Sequence, residues 1–391
     1  MSWPTSTAMP PTARTPAPAD WMPNSFRVTN GGISRVSTAA PAPGGPGAAA
    51  DPWFPSTLAG SDSAVNSNAV DEPNQQGLNA AGNLPGAAPR AAPIYAWLER
   101  LAVLHAGLVD VVRGGRSFEG RPIKGVRLFP GKDKPRLFIE AGMHAQEWIT
   151  TSTACWLIHR VLQADEADAA PWSGLARAFE WHVFPNVNPD GYEYSFKTER
   201  AWRKTRSKGL VCYGVDGNRN WAYGWNPGNS TTRHPCARNF PGRAPFCEAE
   251  TRGLSEYVRS LAPGARLRLY VSLHSSKQMI LFPWGCSREH SADHEELMEI
   301  GQRAASALER VHGTKFQVGP IASTIYMAPG NSVDWVYAAG VKYAFAMELR
   351  NPVKPEQYVS ASAIEATGEE TFAAIITMLE EVASRSSRCG K

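Results

Sequence analysis

The sequence has little of what would place it in a membrane or on a nucleic acid. No apolar run approaches the roughly 20 residues a helix needs to cross a bilayer, so an integral membrane protein is not expected. Neither sign of charge dominates: 40 Lys and Arg stand against 36 Asp and Glu, a net +4. No basic block with interleaved aromatics occurs, so nucleic acid is not an expected partner. Six cysteines are present without a Cys-x-x-Cys pair, which excludes a zinc ribbon or a thioredoxin-like redox motif. His-Glu-x-x-His, the two-histidine helix of the common metalloproteases, is also missing. The first twenty residues lack the apolar core of a signal peptide, so no targeting segment is visible.

Apolar content is itself unevenly spread. Residues 1–90 hold 14 Pro and 9 Gly but only ten Leu, Ile, Val and Phe, with four Arg and five acids. Such a stretch cannot bury enough apolar surface to offset the entropy of ordering its backbone. It is expected to be a disordered Pro/Ala/Gly-rich extension, with 91–391 forming one domain.

From about Pro93 the texture changes. The segment from Pro93 to Val112 has Trp97, Leu101, Leu104 and Leu108 at helical spacing. Residues 136–144 form a short apolar run of strand type, followed by a helix pattern over 147–163. Further strands are expected in 179–191, where the strand runs into a Pro/Asn/Asp/Gly turn, and at 266–275, 278–284 and 342–350, with a final helix over about 361–383. Alternating strands and helices predict an α/β domain with a mixed, largely parallel central sheet flanked by helices. In such sheets function collects at strand ends.

Three strand ends carry candidate chemistry. His144 and Glu147 stand three apart where strand passes into helix. Imidazole and carboxylate at that spacing can converge on one cation, and catalytic zinc commonly takes three such ligands. His274 closes the run LRLYVSLH, where the plainer reading is a satisfied core histidine. Glu348 interrupts the apolar run FAMELR, where the plainer reading is an ion pair with Arg350 or a neighbour.

Taken jointly with AWRKTRS (201–207), GVDGNRNW (214–221), TIYMAPGNSVDW (324–335) and KYAFAMELR (342–350), these residues give the chain a pattern that resembles the zinc metallocarboxypeptidases of the pancreatic A/B type. The resemblance covers about 93–385. It implies one zinc ion held by His144, Glu147 and His274, with Glu348 as general base and Arg203 polarising the scissile carbonyl. It further implies that Asn218 and Arg219 clamp the substrate's terminal carboxylate, that Tyr326 closes over it, and that Asp216 supports the first zinc histidine. The implied substrates are peptide and protein C-termini, taken by a monomeric enzyme.

The resemblance also bears on specificity. In this family the residue before the Asp-Trp pair forms the floor of the pocket for the C-terminal side chain; here it is Val333. The matching wall positions Leu281, Ile321, Ile325, Ala328 and Ala346 are uncharged, which implies an A-type preference for apolar or aromatic residues. Two positions depart from the pattern. Gln146 replaces a usual Arg, which puts the binding of longer substrates in question, and Ser276 replaces a usual aromatic, which is expected to widen the pocket for the penultimate residues. Cys212 and Cys236 match a family disulfide and imply an oxidising, secretory compartment. Cys155 is expected as a buried thiol, Cys247 and Cys286 are able to pair, Cys389 lies in a polar tail, and Asn229 begins a glycosylation sequon. Residues 1–90 are too poor in apolar side chains to form the folded inhibitory prosegment of the family. Two alternatives remain open: a cytosolic-type deglutamylating carboxypeptidase, which needs a cationic pocket, and a non-catalytic peptide-binding relative, which usually lacks a ligand or the base.

Overall fold

Along strand β5 (Leu267–Ser275), Leu269, Val271 and Leu273 enter one apolar cluster while Tyr270 enters another. The cause is the two-residue period of a strand, which sends successive side chains to opposite faces. β3 (Arg136–Glu140) divides in the same way, Leu137 and Ile139 to one side and Phe138 to the other. In β8 (Tyr343–Leu349), Phe345 and Met347 part from Ala344 and Ala346. Strands this apolar on both faces need cover on both.

The structure, a computed structural model, describes residues 91–166, 171–225, 233–262, 264, 266–350 and 360–388. The expected extension at 1–90, the Asn229 sequon and Cys389 lie outside these. The remaining strands are β1 (Val109–Arg116), β2 (Pro122–Leu128), β4 (Glu180–Phe184), β6 (Met279–Phe282) and β7 (Gln317–Pro320). All eight join one sheet in the order β1-β2-β4-β3-β5-β8-β6-β7. The pairs β4–β3, β3–β5, β5–β8 and β6–β7 are parallel; β1–β2, β2–β4 and β8–β6 are antiparallel. The sheet is therefore mixed, with a parallel centre.

Helices cover both faces. α2 (Trp148–Glu166) and α6 (His294–His312) pack on α9 (Ala361–Arg388). Leu157, Ile300 and Leu379 bring them into the first cluster. α5 (Ala249–Leu261) and α8 (Ser332–Ala338) supply Leu254, Val258 and Val336 to the second. α5 comes close to β1: a Cβ built on Gly253 would lie 2.6 Å from the Gly114 carbonyl oxygen, so this contact requires glycine. Three shorter helices are α3 (Ser173–Ala178), α4 (Pro189–Lys197) and α7 (Ile321–Thr324). Among the described residues, no helix is long and apolar enough to cross a membrane.

Two expectations need correction. The helix at 93–112 stops early: α1 spans Ala91–Leu104 and buries Ile94, Trp97, Leu98 and Leu101, while Leu104 is 46% exposed. Gly107, at φ 87°, turns the chain, and Leu108 leads into β1 instead of prolonging the helix. The possible pairing of Cys247 with Cys286 is not realised. Both are free thiols, held in different loops, with Cys247 Sγ beside Asn220 and the Cys286 amide donating to Asp334. Cys212 and Cys236 form a disulfide, and Cys155 is a buried thiol.

Candidate active site

After β3 ends at Glu140, Gly142 turns the chain at φ 70°, where a Cβ would press within 2.9 Å of Thr151 Oγ1. This turn carries His144 over the strand ends, and Glu147 follows just before α2. On the neighbouring strand His274, next to last in β5, lies on the same edge. His144 Nδ1 lies 2.8 Å from Glu147 Oε1, and His274 Nδ1 lies 3.2 Å from Glu147 Oε2. The two Nδ1 atoms are only 3.1 Å apart. All three side chains are buried, and their ligand atoms fall within 4.8 Å of one another.

This donor set fits zinc. His144 Nε2 is 3.1 Å from Asp216 Oδ1, an acceptor, so its proton sits on Nε2 and its lone pair on Nδ1. Two imidazole nitrogens facing each other this closely repel unless a cation or a proton lies between them. Two nitrogens and a carboxylate match a catalytic zinc site that leaves its fourth position open. Asp216 is fully buried and also accepts from Arg203 Nη2 (2.9 Å) and the Asn218 amide (2.9 Å). Burial alone would raise its carboxyl, but Arg203 and His144 hold it well below the usual range.

Glu348 faces His274 directly in the β5–β8 register. Paired strand residues share a face, so the two side chains project together. Burial, then the charge of Glu147, raises its carboxyl above the ordinary 4.5. The ion pair with Arg350 is not formed; Arg350 turns to Glu370 at 3.6 Å. Arg203 Nη1 stands 3.8 Å from Glu147 Oε1. Arg219 donates to the Asn218 carbonyl (2.7 Å), and its guanidinium lies 5.7 Å from the ring centre of Tyr326, which is half exposed. The Asn218 side-chain oxygen accepts from the Ser332 amide at 3.0 Å.

Val333 is buried in the first turn of α8. It shares an apolar cluster with Leu281, Ile321, Ala328 and Ala346, and Ile325 packs against that cluster. Asp334 points elsewhere, accepting from the Gly285 and Cys286 amides at 2.8 Å each. An open cavity of about 690 Å³ takes Arg203, Arg219, Ile325 and Tyr326 into its wall. The three ligands, Glu348, Asn218 and Val333 are not in that wall. Arg238 and Arg288 are, though sequence reading did not single them out. Nothing in their local sequence sets them apart from ordinary surface arginines.

Residues 94–374 match the zinc carboxypeptidase family. The chain belongs to the zinc carboxypeptidase family. It is 40% identical to zinc carboxypeptidase A 1 of Anopheles gambiae over 75% of this chain and 67% of that one. It is also 40% identical to carboxypeptidase A2 of Rattus norvegicus, over 74% and 69%, and 37% identical to carboxypeptidase B of Astacus astacus, over 71% and 91%. Among solved structures it is similar to carboxypeptidase A from Helicoverpa armigera (TM-score 0.68, 30% identity, 75% of this chain and 73% of that chain). Bovine thrombin-activatable fibrinolysis inhibitor gives a TM-score of 0.70 at 30% identity, over 76% of this chain and 97% of that chain. The chain is therefore a zinc metallocarboxypeptidase, a hydrolase of peptide substrates with one zinc ion.

Proposed function

We propose that this carboxypeptidase releases apolar and aromatic C-terminal residues, and that its site residues divide the work as follows. Zinc held by His144, Glu147 and His274 supplies Lewis acidity and a water whose pKa is lowered toward about 7. Glu348 takes the proton of the attacking water and delivers it to the leaving amine. Its raised carboxyl suits a group that must both accept and return a proton. Arg203, held by Asp216, presents a cation to the oxygen on which negative charge develops, and a dry site makes that cation effective. Arg219 and Asn218 bind the terminal carboxylate, for which the planar guanidinium fork is suited. Tyr326 is half exposed and covers that carboxylate once substrate is in place.

The observation that carries the preference is the apolar cluster uniting Val333 with Leu281, Ile321, Ala328 and Ala346 beside Ile325 of the cavity wall. Burying a phenylalanine ring, on the order of 150 Å² at about 25 cal/mol per Å², favours Phe over Gly by up to roughly 4 kcal/mol. A lysine or arginine would leave its charge unpaired, which costs several kcal/mol. Blocked dipeptides ending in Phe, Leu, Lys, Arg and Glu test this, with Phe and Leu expected highest in kcat/KM. Faster release of Lys or Arg by the unmodified enzyme overturns the A-type assignment. Val333→Asp is expected to shift the preference toward basic residues.

One observation favours a second reading. Arg238 and Arg288 join Arg203 and Arg219 in the cavity wall, which contains no acid. Two guanidinium groups beyond the catalytic pair suit an acidic C-terminal side chain, as in a deglutamylating enzyme. Glutamate released fastest in the same series would establish it.

The organisation follows the same reasoning: a catalytic domain over 91–391 and an extension over 1–90, in a monomer. The Cys212–Cys236 disulfide supports an oxidising, extracellular compartment.

A further inference from the structure

Behind the zinc-binding edge lies a set of buried polar side chains that the reaction above does not use. Tyr270, Ser272 and His274 alternate along β5 and so share one face. Glu140 is the register partner of Ser272 across the parallel β3–β5 pair, on that same face. All four residues are at most 2% exposed. Ser272 Oγ donates to Glu140 Oε1 at 2.9 Å, and the Tyr270 hydroxyl donates to the same oxygen at 2.7 Å.

A serine hydroxyl has one proton and two lone pairs. With its proton committed to Glu140, Ser272 turns a lone pair toward His274 Nε2, 3.0 Å away. That contact is completed by Nε2–H, which leaves the lone pair of a neutral ring on Nδ1. Nδ1 is the atom that faces His144 and Glu147. A competing influence is present. The Asn218 side-chain nitrogen lies 3.2 Å from the same Nε2, while its oxygen is held by the Ser332 amide. That NH₂ group favours a lone pair on Nε2, the wrong tautomer for binding metal through Nδ1. A carboxylate behind the serine decides the contest, because hydrogen bonds to a charged acceptor are roughly twice as strong as neutral ones. Glu140 also keeps its other oxygen, Oε2, buried without a partner.

We propose that Glu140, acting through Ser272, is a positioning residue that sets the tautomer and orientation of His274, as Asp216 does directly for His144. The proposal rests on His274 being a zinc ligand.

The test measures zinc affinity of the full-length zinc enzyme by competition with a chelator. Ser272→Ala and Glu140→Gln are each expected to weaken zinc binding about 10- to 100-fold. The glutamine should do at least as much damage as the alanine, because its amide can donate to Ser272 and reverse the hydroxyl. Tyr270→Phe removes a hydrogen bond to the same Glu140 oxygen without breaking the relay, and should stay within about threefold of the unmodified enzyme. Cobalt substitution gives a second readout: the visible bands of the Ser272→Ala protein should move, and those of Tyr270→Phe should not. Should Glu140→Gln fail to fold, Ser272→Ala carries the decision. Unchanged affinity in Ser272→Ala, or an equal loss in Tyr270→Phe, overturns the relay. His274→Ala, measured in parallel, separates the two layers. Retention of tight stoichiometric zinc there sinks the ligand assignment, whereas loss of zinc there with Ser272→Ala unaffected sinks the relay alone.

Discussion

Glu348 owes its place to one register step. Because it pairs with His274 across β5 and β8, an acid inside an apolar strand is delivered to the mouth of the metal site. Its replacement by glutamine keeps the shape and removes the proton acceptor proposed above. Glu348→Gln is expected to retain zinc, to change KM little, and to lower kcat by about 10²- to 10⁴-fold. A kcat near that of the unmodified enzyme would make Glu348 structural. His144, Glu147, His274 and Glu348 were all legible in the sequence, since each stands at or near a strand end inside a recognisable run. Glu140 and Ser272 were not. Their partnership joins positions 132 apart, and no local pattern announces which serine will face which acid. Arg238 and Arg288 were missed because surface arginines are common and only the cavity distinguishes these two.

α5 docks against the β1–β2 hairpin through a buried acid near its N-terminus. Glu250 is 2% exposed; Oε1 accepts the Phe118 amide at 3.0 Å and Oε2 has no partner. Burial, opposed in part by that amide, raises its carboxyl from the ordinary 4.5 to about 7. Between these two values the unfolded chain has released the proton and the folded one still holds it. Stability from this group is therefore complete below about pH 4.5 and declines as pH rises to about 7. The loss is on the order of 3 kcal/mol by linkage. Denaturant midpoints measured from pH 4 to pH 8 should show Glu250→Gln with a flatter pH dependence than the unmodified protein; parallel curves would refute the assignment. Neither α5 nor the hairpin it covers was expected from the sequence. β1 has the pattern VDVVRGGR, only partly buried and with two glycines before its last residue, so its strand signal is weak. A Cβ on Gly115 would meet the Gly253 Cα at 3.0 Å and one on Gly114 would meet the Phe184 ring at 2.9 Å, tertiary contacts that propensity does not contain. The central strands β3, β5 and β8 were legible because burial on both faces makes them continuous apolar runs.

Across the whole molecule the Cys212–Cys236 bridge closes a loop with a sequence separation of 24 residues. Chain-entropy arguments give such a cross-link about 3–4 kcal/mol, mostly by restricting the unfolded state. The double Cys→Ser variant should lose stability of that order in denaturant titration, with zinc still bound. A protein starting at residue 91 should keep the kcat/KM of the full chain if 91–391 is the catalytic unit; a large fall would show that 1–90 contributes to it. The sequence by itself determined the alternation of strand and helix, the His144, Glu147 and His274 site, the position of the proposed base and the apolar character around Val333. Those features depend on residue type and on spacing along one chain, which covalent geometry preserves. Tertiary structure alone decided that Cys247 and Cys286 stay apart, that four arginines share one cavity, and that Glu140 reaches His274 through Ser272. Each of these depends on strand register and loop placement between distant segments. A shift of one residue in that register would turn the same side chains to the opposite face of the sheet.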